Sequence, residues 1–325
     1  PAGSEQPRFK PSAATMKKLP RMLAMAIRKA RYGAEVERAV PELEAEYSRY
    51  ADRNRAAMTD AELLADVAAL QRIGVRSAGV NIVTPLLANA YAALLRRRLG
   101  KHGFDLAQVD LTAGMAELEA FDPNPHLDRL AEHIQRLDRA EREAILRGGY
   151  DAVPDELRRE VDAFLDRFGH FSDSGNDFSI PPWREMPDTV VRMAATRPGT
   201  GRGSGRVAWH QVEAAVPAWR RPVVRTLRGR ARTFIHHREA VSSLYTYGYG
   251  LFRDYFLVIG HRLADRGVLD APDDVMYLTL TEVRAALTGA ELATPATEVV
   301  ATRKAEIDEV RDLDMPEVIY GDDFI

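Results

Sequence analysis

Apolar residues return every three or four positions along almost the whole of this chain, and no stretch alternates convincingly with polar ones. That spacing puts the apolar side chains on one face of successive helices and argues against a core built on a sheet. The fold class it predicts is all-α, an irregular multi-helix bundle. Residues 12–31 read as a helix with a Met-rich face (Met16, Leu19, Met22, Leu23, Met25) interrupted by Pro20, and 35–56 as a second. A third covers 59–73, opened by the cap-like Thr59-Asp60-Ala61-Glu62. Residues 82–99 are apolar almost all round, which predicts a central helix. Shorter helices are expected near 111–120, 124–147 and 155–168. Longer ones cover 208–240, broken near Pro217 and Pro222, and 241–266; the last covers about 297–313. The clearest loop is Arg197–Arg206, whose glycine rhythm lacks the Gly-Lys-Ser/Thr ending of a phosphate loop and follows no strand.

The 325 residues are 46% hydrophobic and 29% charged, the balance of a soluble globular chain. A net charge of −3 predicts binding to neither nucleic acid nor an anionic membrane. No uninterrupted apolar run is long enough to span a bilayer, and even Leu251–Ile259 carries Arg253 and Asp254. The absence of cysteine excludes disulfides, zinc–thiolate sites and thiol nucleophiles, and suits a cytoplasmic location. Charge is unevenly distributed. Residues 8–31 hold eight bases and no acid, and 197–238 hold ten arginines against Glu213 alone. Such a split marks faces that meet other domains or anionic ligands.

The densest chemistry lies in Phe168–Ser179, just past the helix at 155–168. His170, Asp173, Asn176, Asp177 and three serines crowd together, bracketed by Phe171 and followed by Trp183, Arg184 and Glu185. Two readings are open: a self-satisfied Asx/Ser turn, or a ligand site at a helix end. Farther on, Arg221, Arg225, Arg228 and Arg232 share one helical face. Guanidinium forks in such a row suit a phosphorylated group or nucleotide; the alternative is a solvated or domain-docking face. Arg238 and Glu239 follow, next to His236 and His237, which as neighbours are expected to point to different faces. The helix after them lines Tyr245, Tyr249, Phe252 and Phe256 on one face. It contains Gly248 and Gly250, each costing about 1 kcal/mol relative to Ala. Either another helix approaches closely there, or a flat ligand lies against the thinned wall. His126 and His133 lack metal-ligand spacing, and no Gly-x-Ser-x-Gly nucleophile elbow occurs, so no metal site is expected.

The order of these pieces resembles the helical substrate-binding middle domain of phosphoenolpyruvate-synthase-like, rifampin phosphotransferase-like enzymes. The resemblance rests on Phe164-Leu165-Asp166-Arg167-Phe168-Gly169-His170, on Pro181-Pro182-Trp183-Arg184-Glu185-Met186-Pro187, on Arg238-Glu239, and on Gly267-Val268-Leu269 leading to Asp274-Val275-Met276-Tyr277-Leu278-Thr279; Thr112-Ala113-Gly114-Met115 is a weaker match. It covers nearly the whole chain. It implies a domain over 12–315, preceded by a linker or cloning scar at 1–11 and followed by an extended tail at 316–325 toward a swivel domain.

The resemblance also implies a division of labour. An ATP-grasp domain binds ATP and magnesium, a swivel domain carries a phosphohistidine, and this domain holds a small-molecule acceptor; the partner domains lie in cis or on separate subunits. This chain binds no cofactor of its own and is expected to be inactive alone. The implied catalytic residues are His170 as base, Asp177 as its orienting partner, and Arg238 as countercharge. Phe171, Asp173, Asn176, Trp183, Arg184, Glu239, Ser242, Tyr245 and Tyr249 would line the substrate, with Arg225, Arg228 and Arg232 contacting phosphate. Two departures stand out. Phe171 and Gly175 occupy places where the family usually has Arg and Glu, and Ser242 replaces a second base one turn after Arg238. They keep open a condensing-ligase or dehydratase chemistry of the same family. A non-catalytic helical adaptor is the competing class.

Overall fold

A proline expected to interrupt a helix is carried inside it. In the computed structural model α1 runs unbroken over Ala13–Ala51, joining two segments expected separately despite Pro20. Likewise α2 spans Asp60–Gly100 and contains Pro85. A helix-interior proline removes a backbone hydrogen bond and costs about 3 kcal/mol. Beside the gap the Thr84 hydroxyl donates to the Val80 carbonyl at 2.7 Å. The structure describes residues 13–105, 109–175, 177–198 and 207–310, with 13–31 as helix backbone alone. Asn176, most of the glycine–arginine loop, the linker at 1–11 and the tail at 316–325 lie outside the described residues.

The remaining elements are α3 (Asn124–Arg136), α4 (Arg139–Gly148), α5 (Asp155–Phe168), α6 (Pro187–Thr196), α7 (Trp209–Ala215), α8 (Arg221–Asp265), α9 (Leu280–Thr288) and α10 (Ala296–Val310). Among the described residues there is no strand, only one isolated bridge between Val109 and Val207, so the all-α expectation holds. Several boundaries move. The helix expected over 124–147 is two, because Asp138 and Glu141 form a reciprocal capping box that starts α4 afresh. Only a 3-10 turn, Ala116–Ala120, forms in the segment 111–120. The break expected at residue 240 is absent from the 45-residue α8. Two short helices, α6 and α9, were not anticipated.

The chain divides into two compact units, one of residues 1–46, 75–167 and 187–245, the other of 47–74, 168–186 and 246–325. In the first, Leu95, Leu99, Val109, Val212, Val216 and Val224 form one buried cluster, and Leu87, Ala88 and Phe234 another. Each buried Leu, Val or Phe among them contributes about 1.5–3 kcal/mol by leaving water. The helix expected to be central buries only this face. Its opposite side leaves Val75, Ile82, Leu86 and Leu94 between 50% and 70% exposed, so an all-round apolar sequence here marks two faces, not full burial. By length and composition α2 is apolar enough to cross a membrane, with 22% of the relevant window buried; helices of soluble proteins pass the same test.

In the second unit Tyr47, Leu63, Leu70, Tyr255, Ile259 and Leu263 are fully or almost fully buried. Tyr255 donates to Asp66 at 2.8 Å, and Arg53 donates to both oxygens of that carboxylate at 2.7 Å. The segment Gly267–Thr279 is a chain of structural signals. Gly267 (φ +70°) follows the last turn of α8, where the Val268 amide donates back to the Leu263 carbonyl at 2.9 Å. Asp274 accepts from the Ala271 amide and from Lys304, while Leu269 and Val275 are buried. Thr279 and Glu282 then cap α9 reciprocally.

The two helix glycines of α8 part company. A Cβ at Gly248 would sit 2.3 Å from the Tyr47 ring, whereas one at Gly250 meets nothing within 4 Å. Replacing Gly248 by Ala is therefore expected to lower the melting temperature, while Gly250→Ala gains up to about 1 kcal/mol from helix propensity; thermal unfolding of the two variants side by side checks both signs. A second prediction concerns Glu282, held down to about 2 by Arg303 hydrogen bonds, against burial, and by the Thr279 cap. Its unfolded value is about 4.3. Because the folded value is depressed, its contribution is complete above the unfolded value and disappears as pH falls through the folded one. Glu282→Gln should lower the melting temperature at neutral pH, and the gap should close as pH is taken from about 5 to about 2.

Candidate functional site

The loop that leaves α5 is pinned at both ends by backbone. The Trp183 amide donates to the Phe171 carbonyl at 2.8 Å and the Arg184 amide to the Gly169 carbonyl at 3.0 Å. This lays the Trp183–Glu185 turn against the Gly169–Phe171 stretch of the loop. Inside, the polar side chains largely answer one another. Asp177 accepts from the Ser179 amide at 2.9 Å and its hydroxyl at 2.6 Å, an Asx turn. Asp173 accepts from the Trp183 indole at 3.0 Å. Gly175 takes φ +74°, a conformation that a glutamate would adopt only with strain.

Arg253, which sequence reasoning noticed only as a break in an apolar run, holds this loop in place. It is 4% exposed. Its guanidinium grips both oxygens of Glu185 at 2.9 Å, donates to the Phe178 and Ser179 carbonyls at 3.3 and 3.0 Å, and reaches Asp273 at 3.2 Å. A buried charge persists only when paired this fully. Phe178 then stacks on Phe252 and Phe256, with centroids 5.8 and 5.6 Å apart, and meets Tyr249 at 6.3 Å. The face of Tyr249, Phe252 and Phe256 is thus occupied by the loop's own phenylalanine. The available signal was the pairing of a lone arginine in an aromatic helix with the glutamate of Pro-x-Trp-x-Glu.

His170 stands over Phe171 (4.6 Å between centroids) and edge-on to Tyr247 (5.7 Å). It lines a recess of about 20 Å³ shared with Asp177, Tyr249 and Arg253, too small for more than a water molecule. On its other side it lines a chamber of about 150 Å³ with Arg55, Arg184, Tyr247, Gly250 and Asp254. Burial pushes the Asp254 carboxyl up, partly offset by Arg55 and Arg184; Arg55 donates to it at 2.9 Å. Burial also raises the Tyr247 hydroxyl. Asp254, Arg55 and Tyr247 were not anticipated as site residues. Gly250 opens this wall, whereas Gly248 admits Tyr47.

The other anticipated residues belong to the first unit. The arginine face is real but mostly spent. Arg221 donates to the Val216 and Ala214 carbonyls at the end of α7, Arg225 pairs with Glu213, and Arg232 donates to the Leu111 and Ala113 carbonyls at 2.7 and 2.8 Å. Arg228 lies 4.6 Å over the Trp209 ring. Arg225, Arg228 and Arg232 line a cavity of about 690 Å³. His236 and His237 both line it too, with rings 5.8 Å apart; they point to different sides, His236 toward Phe121 and His237 toward Phe234, and one step of 100° leaves both on the flanks of one groove. Arg238 forks onto Glu239, its Nε at 2.8 Å. Ser242 is exposed and Tyr245 half-buried.

Residues 77–239 match the family described as the rifampicin phosphotransferase fourth domain. The match takes in the His170 loop and ends at Arg238–Glu239, leaving the Gly267–Thr279 segment outside it. Rifampicin phosphotransferase of Streptomyces sviceus is 28% identical over 189 residues, which is 52% of this chain and 21% of that protein. The chain therefore corresponds to about a fifth of the length of this relative. With half of its residues accounted for by one family model, the chain belongs to the rifampicin phosphotransferase fourth-domain family.

Proposed function

We propose that this chain is the acceptor-binding domain of a cytoplasmic, ATP-dependent phosphotransferase, in which a phosphoryl group carried on a histidine of another domain passes to a hydroxyl or carboxyl oxygen of a small, partly apolar metabolite. ATP, magnesium and the phosphohistidine belong to parts of the enzyme outside this chain. Family membership supports the reaction class; fold alone would not. The observation that carries the local assignment is the chamber beside His170, which gathers an imidazole, two guanidinium groups and a half-buried carboxylate in about 150 Å³. That space suits one reacting group of a substrate rather than a whole drug-sized molecule.

In this reading His170 takes the proton of an acceptor hydroxyl as its oxygen attacks phosphorus, and the bond to the donor histidine breaks as the new P–O bond forms. A carboxylate acceptor needs no proton removed, and His170 then orients it. Arg184 and Arg55 supply positive charge where negative charge develops. Asp254 holds Arg55 in place and limits the net charge of the chamber. Asp177, committed to the turn, orients the loop rather than the base, and Asp173 does the same through Trp183. Phe171 and Trp183 form the apolar edge, and Tyr249 remains a proposed substrate contact by residue type; Glu239, Ser242 and Tyr245, in the first unit, are proposed as ligand contacts by residue type, separately from this chamber. Arg238 stands as a further proposed countercharge, to be tested by its own variant.

The test uses the complete enzyme with ATP and extracts of its host, with products read by mass spectrometry. His170→Asn is expected to lower product formation by at least about 100-fold, the usual scale for loss of a general base, with an unchanged melting temperature. Asp254→Asn should weaken turnover less and lower thermal stability, because Arg55 loses its partner. A condensed or dehydrated product in place of a phosphorylated one would move the chain to the ligase or dehydratase chemistry of its relatives. Unimpaired turnover by the His170 and Arg238 variants would leave the adaptor reading standing.

A further inference from the structure

The 690 Å³ cavity flanked by α7 and α8 is large enough to hold a small organic molecule. Its charges nearly cancel: Arg225, Arg228 and Arg232 face Glu37, Glu117 and Glu213. Two of the three guanidiniums are occupied, Arg225 by Glu213 and Arg232 by two backbone carbonyls. Arg228 differs. Its Nε is buried and has no hydrogen-bond partner among the described residues, and its plane lies over the Trp209 indole. The indole is itself fixed, donating to Glu213 at 3.2 Å. Leaving a buried donor unpaired costs about 1–3 kcal/mol, and a protein tolerates that where a ligand supplies the acceptor.

A second atom repeats the pattern. His237 is 6% exposed, and its Nε2 has no hydrogen-bond partner among the described residues, the nearest carboxylate oxygen, on Glu37, lying 3.7 Å away. Burial favours the neutral imidazole there. The ring edges of His236 and His237, the Trp209 indole and the Met115 side chain make the remaining walls largely apolar and planar, and Gly229 adds no side chain to the floor.

We infer that this cavity binds a hydroxylated aromatic monocarboxylate, its carboxylate on Arg228 and its hydroxyl toward the glutamates. One unspent guanidinium against a balanced set of charges suits one negative charge; a phosphate dianion would meet three carboxylates with only one free cation to offset them. The hydroxyl has acceptors in Glu37 and Glu117, and the ring lies among the aromatic walls. This site is distinct from the His170 chamber and does not rest on the phosphotransfer reading, because binding is measured without turnover.

The experiment titrates the full chain with 4-hydroxybenzoate, benzoate and inorganic phosphate, read by calorimetry and by ligand-observed NMR. Saturable binding of 4-hydroxybenzoate is expected, tighter than benzoate and tighter than phosphate. Arg228→Gln should weaken it at least about tenfold, the scale of one charge-assisted hydrogen bond, and Arg228→Lys by less, since charge survives without the fork. Arg220→Gln is the control, because Arg220 makes a similar stack on Trp219 outside the cavity, and it should leave affinity unchanged. Melting temperatures confirm that each variant is folded. The inference is overturned if neither carboxylate saturates below about 10 mM, if Arg228→Gln leaves binding intact, or if phosphate binds more tightly than 4-hydroxybenzoate, which would make this an anion site of the phosphoryl class.

Discussion

One buried guanidinium organises the second unit. Arg253 has almost no access to water, so every donor it carries must find an acceptor within the protein or the fold loses several kcal/mol. It finds them on three separate stretches of chain: Glu185 after the loop, the Phe178 and Ser179 carbonyls within it, and Asp273 beyond α8. These contacts fix the loop against α8 at the turn where Gly250 opens the wall. Phe178 then seals the arrangement by stacking on Phe252 and Phe256. The polar density of the loop is a consequence of this scheme as much as of chemistry. Serines and aspartates that face one another satisfy a backbone held away from any helix or strand.

Local signals in the sequence were legible where they act locally. The cap at Thr59–Glu62 is reciprocal, with the Thr59 amide donating to Glu62 at 2.7 Å, and α5 ends where its apolar spacing ends. Long-range compensation was not legible. Pro20 reads as a break because nothing nearby in sequence announces that a 39-residue helix will absorb it. The apolar circumference of residues 82–99 reads as burial on all sides, but the pattern cannot distinguish a core face from an apolar face turned to solvent. The short α6 and α9 lack enough turns for periodicity to register.

The candidate site divides along the same line. His170, Trp183 and Arg184 were found from residue type and position, and the structure gathers them in one unit. For Asp177 the Asx-turn reading left open by the sequence holds, with the Ser179 amide as its local partner, whereas the partner of Asp173, the Trp183 indole, is brought to it only by the folded loop. Arg253 and Asp254 were passed over because a charged pair inside an aromatic stretch looks like an interruption. The arginine face was visible at i, i+4, i+7 and i+11, but its partners, the Leu111 and Ala113 carbonyls and Glu213, come from elsewhere in the chain. Sequence shows which donors share a face; it does not show which of them are already spent.

That distinction bears on the loop's departures from the pattern its relatives resemble. Phe171 stands where a cation is usual, and its ring packs between His170 and Trp183, at 4.6 and 5.8 Å. Gly175 stands where a glutamate is usual and takes a backbone angle that excludes it at low cost. The two departures balance in charge: one lacks a positive charge, the other a negative one, and Phe171 joins an aromatic stack. Net charge in the loop is preserved while a polar pair gives way to apolar contact. Positive charge in the proposed chamber then comes from the flanking residues Arg184 and Arg55, with Asp254 as the carboxylate against which Arg55 is set. A site rebuilt in this way keeps its imidazole and changes the surroundings of that imidazole.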